Sequence, residues 1–256
     1  MDVDTGADDA FAVLFAAMHP DINLLGITCV DGNTNVDQVV ANTFKVLDAA
    51  SAGDIPVARG AVRPLLGKSQ YAEYVHGKDG MCDLGIAPSH RTVDPRSAVE
   101  LLRDLIESSP EPVTIVPLAP LTNIALFLRA FPETAKKIHR IVLMGGSASS
   151  GNATAAAEFN IWHDPEAAKR VFASGINTVM VGLDVTHSVK TFEHLWGWLK
   201  DGSRFGKVFD HILTSYTNFY ETFYGERMTH QHDALAMAEA IWPNIMELEP
   251  AFIDVE

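Results

Sequence analysis

Met1-Asp2-Val3-Asp4-Thr5-Gly6-Ala7-Asp8-Asp9, followed by the apolar run 10–18 (AFAVLFAAM), is the stretch that decides how this chain folds. Four carboxylates crowd into it, with Gly6 between the two pairs. The economical geometry is a strand ending at Asp2 to Asp4, a tight turn at Gly6 and a helix beginning near Asp8. Alternation along the strand points Asp2 and Asp4 to one side. Asp8 and Asp9 then sit at a helix N-terminus, where the dipole favours negative charge. Carboxylates this close repel one another and need a cation, protons or strong donors to coexist. Oxygen-only ligands suit a hard ion, Ca²⁺ or Mg²⁺. A plain N-cap with solvated neighbours accounts for Asp8 or Asp9 but poorly for Asp2 with Asp4. An EF-hand is excluded, because Val13 stands where its bidentate Glu belongs. A phosphate-cradling loop would offer backbone N–H groups and Lys instead of carboxylates.

Outward from this stretch, short apolar runs alternate with helical patterns. Strands are expected at 24–30, 55–58, 112–118, 138–144 and 177–183. Helices are expected at 36–50, where Val39, Val40, Phe44 and Leu47 share a face, at 97–107, from the turn at 119–123 to about 130, and after Asp164, with Pro165 in the first turn. Residues 59–95 read as irregular, and a loop of that length in a compact domain is usually functional. From 192 onward the pattern is helical, notably at 205–223 and 233–241, and 251–256 reads as a final strand. The alternation specifies an α/β fold: a single domain over 1–256 with a mainly parallel, Rossmann-like central sheet flanked by helices. Ligands of such sheets gather beyond the carboxyl ends of the strands. Asp4, Asn33, Leu118, Met144 and Asp184 all fall at or just after such an end.

The net charge of −14 argues against nucleic acid and anionic membrane surfaces as partners, since both demand basic patches. It suits a cation-assisted site and a neutral small substrate. Cys29 and Cys82 are the only cysteines, so no disulfide framework or cysteine metal site is implied, and a reducing, cytoplasmic setting is expected. No apolar run is long enough to span a membrane.

Two enzyme families share part of this pattern. Asp2-Val3-Asp4-Thr5 resembles the DxDxT motif of haloacid dehalogenase-like, Mg²⁺-dependent phosphatases, but the downstream acidic pair of that family has no good counterpart; Gly182-Leu183-Asp184 is the nearest. The second resemblance spans the chain. DVDTGADDA at 2–10 resembles the signature of the inosine–uridine-preferring nucleoside hydrolases. It continues through DGNTN at 31–35, HGKDGM at 76–81, PLAPLTNIA at 117–125, LMGGS at 143–147, AEFNIWHDPEAA at 157–168 and HDALA at 232–236.

That resemblance implies hydrolysis of the N-glycosidic bond of purine and pyrimidine ribonucleosides, a bound Ca²⁺, a role in nucleoside salvage and a homodimer or homotetramer. It implies that Asp4, Asp9, Asp233 and the carbonyl of Leu118 hold the ion. Asp8, Asn33, Glu158 and Asn160 match positions that hold the ribose hydroxyls, Asn152 and Met144 match further sugar contacts, and His76, Phe159 and His232 fall where the base is expected. The chemistry agrees. Glycosidic cleavage passes through an oxocarbenium-like state, which an acidic pocket stabilises. Asp4 is the candidate base for a cation-activated water, and His232 the candidate acid for the departing base. Since only Met1 precedes Asp2 and a buried strand normally runs ~5–6 residues, the chain is expected to be truncated at both ends.

Each assignment has a plainer rival. Asn33 also suits a turn, Glu158 and Asn160 suit an exposed loop, Asp233 suits a helix cap and Met144 suits core filling. The Tyr216, Tyr220, Tyr224 stripe reads first as helix packing. His163, His187 and His230 have no assigned role. A non-catalytic nucleoside- or ribose-binding protein would keep the cation and the hydroxyl contacts; the presence of both Asp4 and His232 favours an enzyme.

Overall fold

The computed structural model describes residues 1–201 and 204–256. Six parallel strands form its frame: β1 (Asp2–Val3), β2 (Ile27–Cys29), β3 (Val57–Arg59), β4 (Val113–Ile115), β5 (Ile138–Met144) and β6 (Thr178–Val181). β1 pairs with β2 and β2 with β3, while β4 pairs with β5 and β5 with β6. A parallel bridge between Asp2 and Pro117 joins the two groups. There the Asp2 amide donates to Val116 O (3.0 Å) and the Leu118 amide to Asp2 O (2.8 Å). The resulting order is 3-2-1-4-5-6. The winding direction reverses between β1 and β4, which is where doubly wound sheets open a ligand crevice.

Helices cover both faces. α1 (Asp9–Met18), α2 (Val36–Ala49) and the late helix α11 (His232–Ile241) pack on one side. α4 (Ala98–Ser108), α5 (Thr122–Ala130) and α8 (Pro165–Phe172) pack on the other. The expected α2 face is buried at Val39, Val40, Phe44 and Leu47. Local chemistry sets the helix starts. Asn35 accepts the Gln38 amide at α2, Ser97 and Glu100 form a reciprocal capping box at α4, and Asp164 accepts the Ala167 amide ahead of Pro165 at α8. Short helices fill the connections: α3 (Glu73–His76), α6 (Pro132–Ala135), α7 (Phe159–His163) and α9 (Leu183–Thr186).

Two expectations need correction. Residues 251–256 form no strand: Phe252 is 94% exposed, and the segment is held by Lys169, which reaches Asp254 and the Val255 carbonyl. An apolar stretch with no neighbouring backbone to pair with gains nothing by extending. The region after 190 is also not all helical. β7 (Lys190–Phe192) pairs antiparallel with β8 (Met228–His230). Between them run a 3-10 helix, Glu193–Asp201, and the long helix α10 (Arg204–Tyr224), which packs against α2 and α3 and covers the crevice.

Candidate active site

A cavity of about 220 Å³ opens at the carboxyl ends of the strands. Asp4, Asp8, Asn33, His76, Leu118, Met144, Asn152, Glu158, Phe159, Asn160, His232 and Asp233 all line it. Of the residues that the nucleoside hydrolase resemblance assigns to the site, Asp9 alone lies behind this lining, fully buried; Asp184, also expected at a strand end, lies outside it, bonded to Ser149 and the Ala148 amide.

The floor is acidic. Asp9 is caged by donors: its Oδ1 accepts the Asp4 amide (3.3 Å), and its Oδ2 accepts the Gly6 amide (2.9 Å) and Asn33 Nδ2 (3.3 Å). Asp4 Oδ2 accepts the Asn33 amide at 2.7 Å. The turn after β2 comes this close because it carries Gly32; a Cβ there would collide with Asp4 Oδ2. Asp8 begins α1 but its side chain caps nothing. Asp233 likewise lies within the first turn of α11 and is not its N-cap, which is Gln231. The capping alternatives are therefore not realised. Asp2 is a brace and not part of the floor: its Oδ1 accepts Thr28 Oγ1 (2.5 Å) and Asn123 Nδ2 (2.8 Å).

Asp8, Asp9 and Asp233 each bring a carboxylate oxygen within 4.8 Å of the others; among the described residues this is the group that could jointly hold a metal ion. Asp4, expected in that set, stands beside it with one oxygen committed to Asn33. The Leu118 carbonyl already accepts Asn160 Nδ2 at 3.0 Å. Burial, reinforced by the charge of Asp9 and then Asp8, drives Asp4 well above the ordinary carboxylate range. Burial, then Asp8, raises Asp9 to about 8. Burial also drives Asp233 well up, with Asp8, Asp9, Asp4 and Glu158 adding to it. Asp4 Oδ1 and Asp8 Oδ1 are buried without a hydrogen-bond partner among the described residues. Hard oxygen donors, buried, mutually repelling and partly orphaned, fit a hard cation.

The next ring of side chains offers buried carboxylate acceptors and amide donors. Glu158 is buried rather than on an exposed loop. It caps α7 through the Asn160 and Ile161 amides and also accepts the Gly146 amide (2.9 Å). Burial raises its pKa to about 7 against those bonds. Asn160 Nδ2 donates to the carbonyls of Leu118 (3.0 Å) and Met144 (3.1 Å), tying together the ends of β4 and β5. Asn33 is buried and bonded to two aspartates, which a simple turn residue would not be. Asn152 Oδ1 accepts the Phe159 amide at 2.8 Å.

The opposite wall is aromatic. Tyr216, Phe219, Tyr220, Phe223 and Tyr224 reach the cavity from α10, and Tyr74 from α3. The tyrosine stripe thus lines the site as well as packing the helix; its i, i+4, i+8 spacing was the visible signal. His76 accepts the Ala7 amide at Nδ1 (3.1 Å). His232 Nε2 lies 3.1 Å from the Tyr220 hydroxyl and its Nδ1 lies 2.7 Å from Thr186 Oγ1. Burial lowers the His232 pKa to about 4, so the ring is neutral and works as one link of a hydroxyl–imidazole–hydroxyl chain. The roles of Tyr220 and Thr186 carried no motif in the sequence. His163 is structural, bonded to buried Asp31 at 3.2 Å.

The profile of the family described as inosine-uridine preferring nucleoside hydrolase matches residues 1–256. The chain belongs to this family. It is 41% identical over 256 residues to the non-specific ribonucleoside hydrolase RihC of Salmonella paratyphi B, an alignment that covers all of this chain and 82% of that protein. Among solved structures, the purine-preferring ribonucleoside hydrolase from Gardnerella vaginalis superposes with a TM-score of 0.93 at 32% identity, covering 100% of this chain and 83% of that one. The plant nucleoside hydrolase PpNRh1 gives 0.91 at 33%, covering 96% and 79%.

For a nucleoside hydrolase the geometry is coherent: an acidic floor, a polar ring and an aromatic wall face one cavity. The phosphatase alternative fails in the structure as well. The aspartate that would be its nucleophile, Asp2, is buried beneath Thr28 and Asn123 and does not line the cavity. No helix is long and apolar enough to cross a membrane among the described residues.

Proposed function

We propose that this nucleoside hydrolase cleaves the N-glycosidic bond of both purine and pyrimidine ribonucleosides, releasing free base and ribose, with Ca²⁺ as its resident ion. The observation that carries the reading is the buried carboxylate floor, with orphaned oxygens on Asp4 and Asp8, facing a hydroxyl-binding ring and an aromatic wall. Asp9, Asp233 and Asp4 or Asp8 would hold the cation, together with the Leu118 carbonyl. The chemistry that Ca²⁺ supplies when bound is Lewis-acid activation of water and relief of carboxylate repulsion.

The chain's own groups do the rest. Asp8, Asn33, Glu158 and Asn160 fix the ribose through its hydroxyls, which need both acceptors and amide donors, with Asn152 and Met144 as further contacts. Asp4, whose Oδ1 has no partner among the described residues, takes the proton of the attacking water. The floor's negative charge stabilises the oxocarbenium character of the sugar. His76, Phe159 and the aromatic wall hold the base. His232 is neutral at rest; after it takes a proton from solvent, the Tyr220 hydroxyl bonded to it gives its own proton to the departing base and accepts one from the imidazolium, which returns to the neutral ring. The likeness to a non-specific ribonucleoside hydrolase supports the broad base range. We further propose a homodimer or homotetramer serving nucleoside salvage in the cytoplasm, where the unpaired Cys29 and Cys82 stay reduced. The test is direct: incubate the protein with inosine, uridine and cytidine, with and without a chelator, and follow free base by absorbance and ribose by reducing-sugar assay. Inert nucleosides in the presence of Ca²⁺ would overturn the reading.

A further inference from the structure

α9 ends at Thr186, whose hydroxyl bonds His232. The next residue, His187, lines the cavity, partly buried. Its ring packs against His230 (5.0 Å between centroids) and edge-on against His232 (5.6 Å), so two buried neighbours set its orientation. His230 in turn packs on Tyr220 (5.1 Å), which stacks on Tyr224 (5.2 Å). His187 therefore belongs to the aromatic end of the cavity, not to the hydroxyl-binding ring.

Three histidines line the cavity, and two of them are committed. His232 has both ring nitrogens hydrogen-bonded, and His76 uses Nδ1 for the Ala7 amide. Neither ring nitrogen of His187 has a hydrogen-bond partner among the described residues. A fixed imidazole with both nitrogens free, set among stacking rings, is suited to the edge of a flat heterocycle. Burial lowers its pKa, with only Asp184 opposing, which keeps the ring neutral. A neutral imidazole offers one donor and one acceptor and can exchange them by changing tautomer. That lets one side chain meet either a carbonyl or a ring nitrogen, on a purine or a pyrimidine.

We propose that His187 is a base-contacting residue, hydrogen-bonding the edge of the nucleobase in the aromatic end of the cavity and contributing to which bases are accepted. This rests on the hydrolase reading above. The experiment compares wild type, His187→Phe and His187→Gln on inosine, uridine and p-nitrophenyl riboside, with ribose as inhibitor. Phe keeps the ring packing and removes both nitrogens; Gln restores a donor and an acceptor. One neutral hydrogen bond predicts a loss in kcat/KM of about three- to ten-fold for His187→Phe. The loss should be unequal between inosine and uridine and partly recovered by Gln. Turnover of p-nitrophenyl riboside, whose aglycone lacks a base edge, and inhibition by ribose should stay within about two-fold of wild type. Equal losses on all three substrates, weakened ribose inhibition, or no loss on either nucleoside would overturn the assignment. A wild type that hydrolyses none of the three substrates would instead overturn the hydrolase reading, and the assignment with it.

Discussion

The His232 imidazole is held through Nε2 by the Tyr220 hydroxyl, 3.1 Å away. Both groups are buried yet line the cavity, so the pair can act only on what enters it. If the two work as one donor, Tyr220→Phe and His232→Ala should each cost ~10²-fold in kcat on inosine, within the usual range for a general acid. The double variant should cost little more than either single one. Turnover of p-nitrophenyl riboside, whose leaving group departs without a proton, should suffer much less. Additive losses, or equal losses on both substrates, would separate the two residues.

In the proposed mechanism Asp4 serves the water, a step shared by every substrate. Asp4→Asn keeps the bond from the Asn33 amide but removes the base, and should lower kcat by ~10²–10⁴-fold for inosine, uridine and p-nitrophenyl riboside alike. Gly32→Ala should mimic it in part, because the new methyl would displace the Asp4 carboxylate. Steady-state kinetics on the three substrates reads both effects.

Removing the cation should abolish hydrolysis, and adding Ca²⁺ should restore it. Asp9→Asn should weaken ion binding, because Asp9 belongs to the triad with Asp8 and Asp233. Metal analysis after chelation, paired with inosine turnover, measures this; full activity in metal-free protein would contradict it.

Burial raises Asp9 to about 8, Glu158 to about 7 and Asp2 to about 6. An acid with a raised folded-state pKa keeps its proton longer in the folded chain than in the unfolded one. Its stabilising contribution is full below about pH 4 and is lost as pH rises through the folded value. The melting temperature of metal-free protein should therefore fall from about pH 5 to about pH 8. Ca²⁺, which binds the ionised form, should raise Tm more at the alkaline end. Thermal unfolding across that range, with chelator or with Ca²⁺, checks the sign.

Asn123 is fully buried and ties three segments together. Its Nδ2 donates to Asp2 Oδ1 (2.8 Å) and the Cys29 carbonyl (3.0 Å), and its Oδ1 accepts the Ala61 amide (2.9 Å). Asn123→Ala would leave these groups without partners, at about 1–3 kcal/mol for each one stranded. Denaturant unfolding should show a loss of that order, far beyond a surface change.

Much of this was legible in the residues themselves. β5 is a seven-residue strand, and the apolar run 141–144 ahead of Gly145 and Gly146 marks where it stops. α2, α4 and α8 carry their own caps, which is why their starts are readable. The acidic floor was legible because Asp4, Asp8 and Asp9 are close in sequence. The division between Asp2 and Asp4 was not, since it depends on Asn123, 121 residues away from Asp2. The β7–β8 pair carries no such mark, because its strands, KTF and MTH, are short and half polar with no apolar run around them. Thr186 escaped for the same reason as Asn123: its partner His232 lies 46 residues on. The tyrosine stripe was visible, but a helix pattern cannot say whether a buried face meets core or cavity.

The β7–β8 ladder has a bearing on how such chains diverge. Between Phe192 and Met228 the polypeptide makes an excursion whose two ends are pinned to each other by one short antiparallel pairing, separate from the parallel sheet, carrying α10 and its aromatic residues over the cavity. The carboxylates and amides assigned to ribose sit instead at strand ends and in the loops that follow them. The excursion is thus a cassette. Substitutions or changes of length within it alter the aromatic roof of the cavity, while the register of the strands that carry the proposed sugar contacts is untouched. Preference for one base over another can drift quickly in such an architecture, even as the sugar-cleaving chemistry stays almost still.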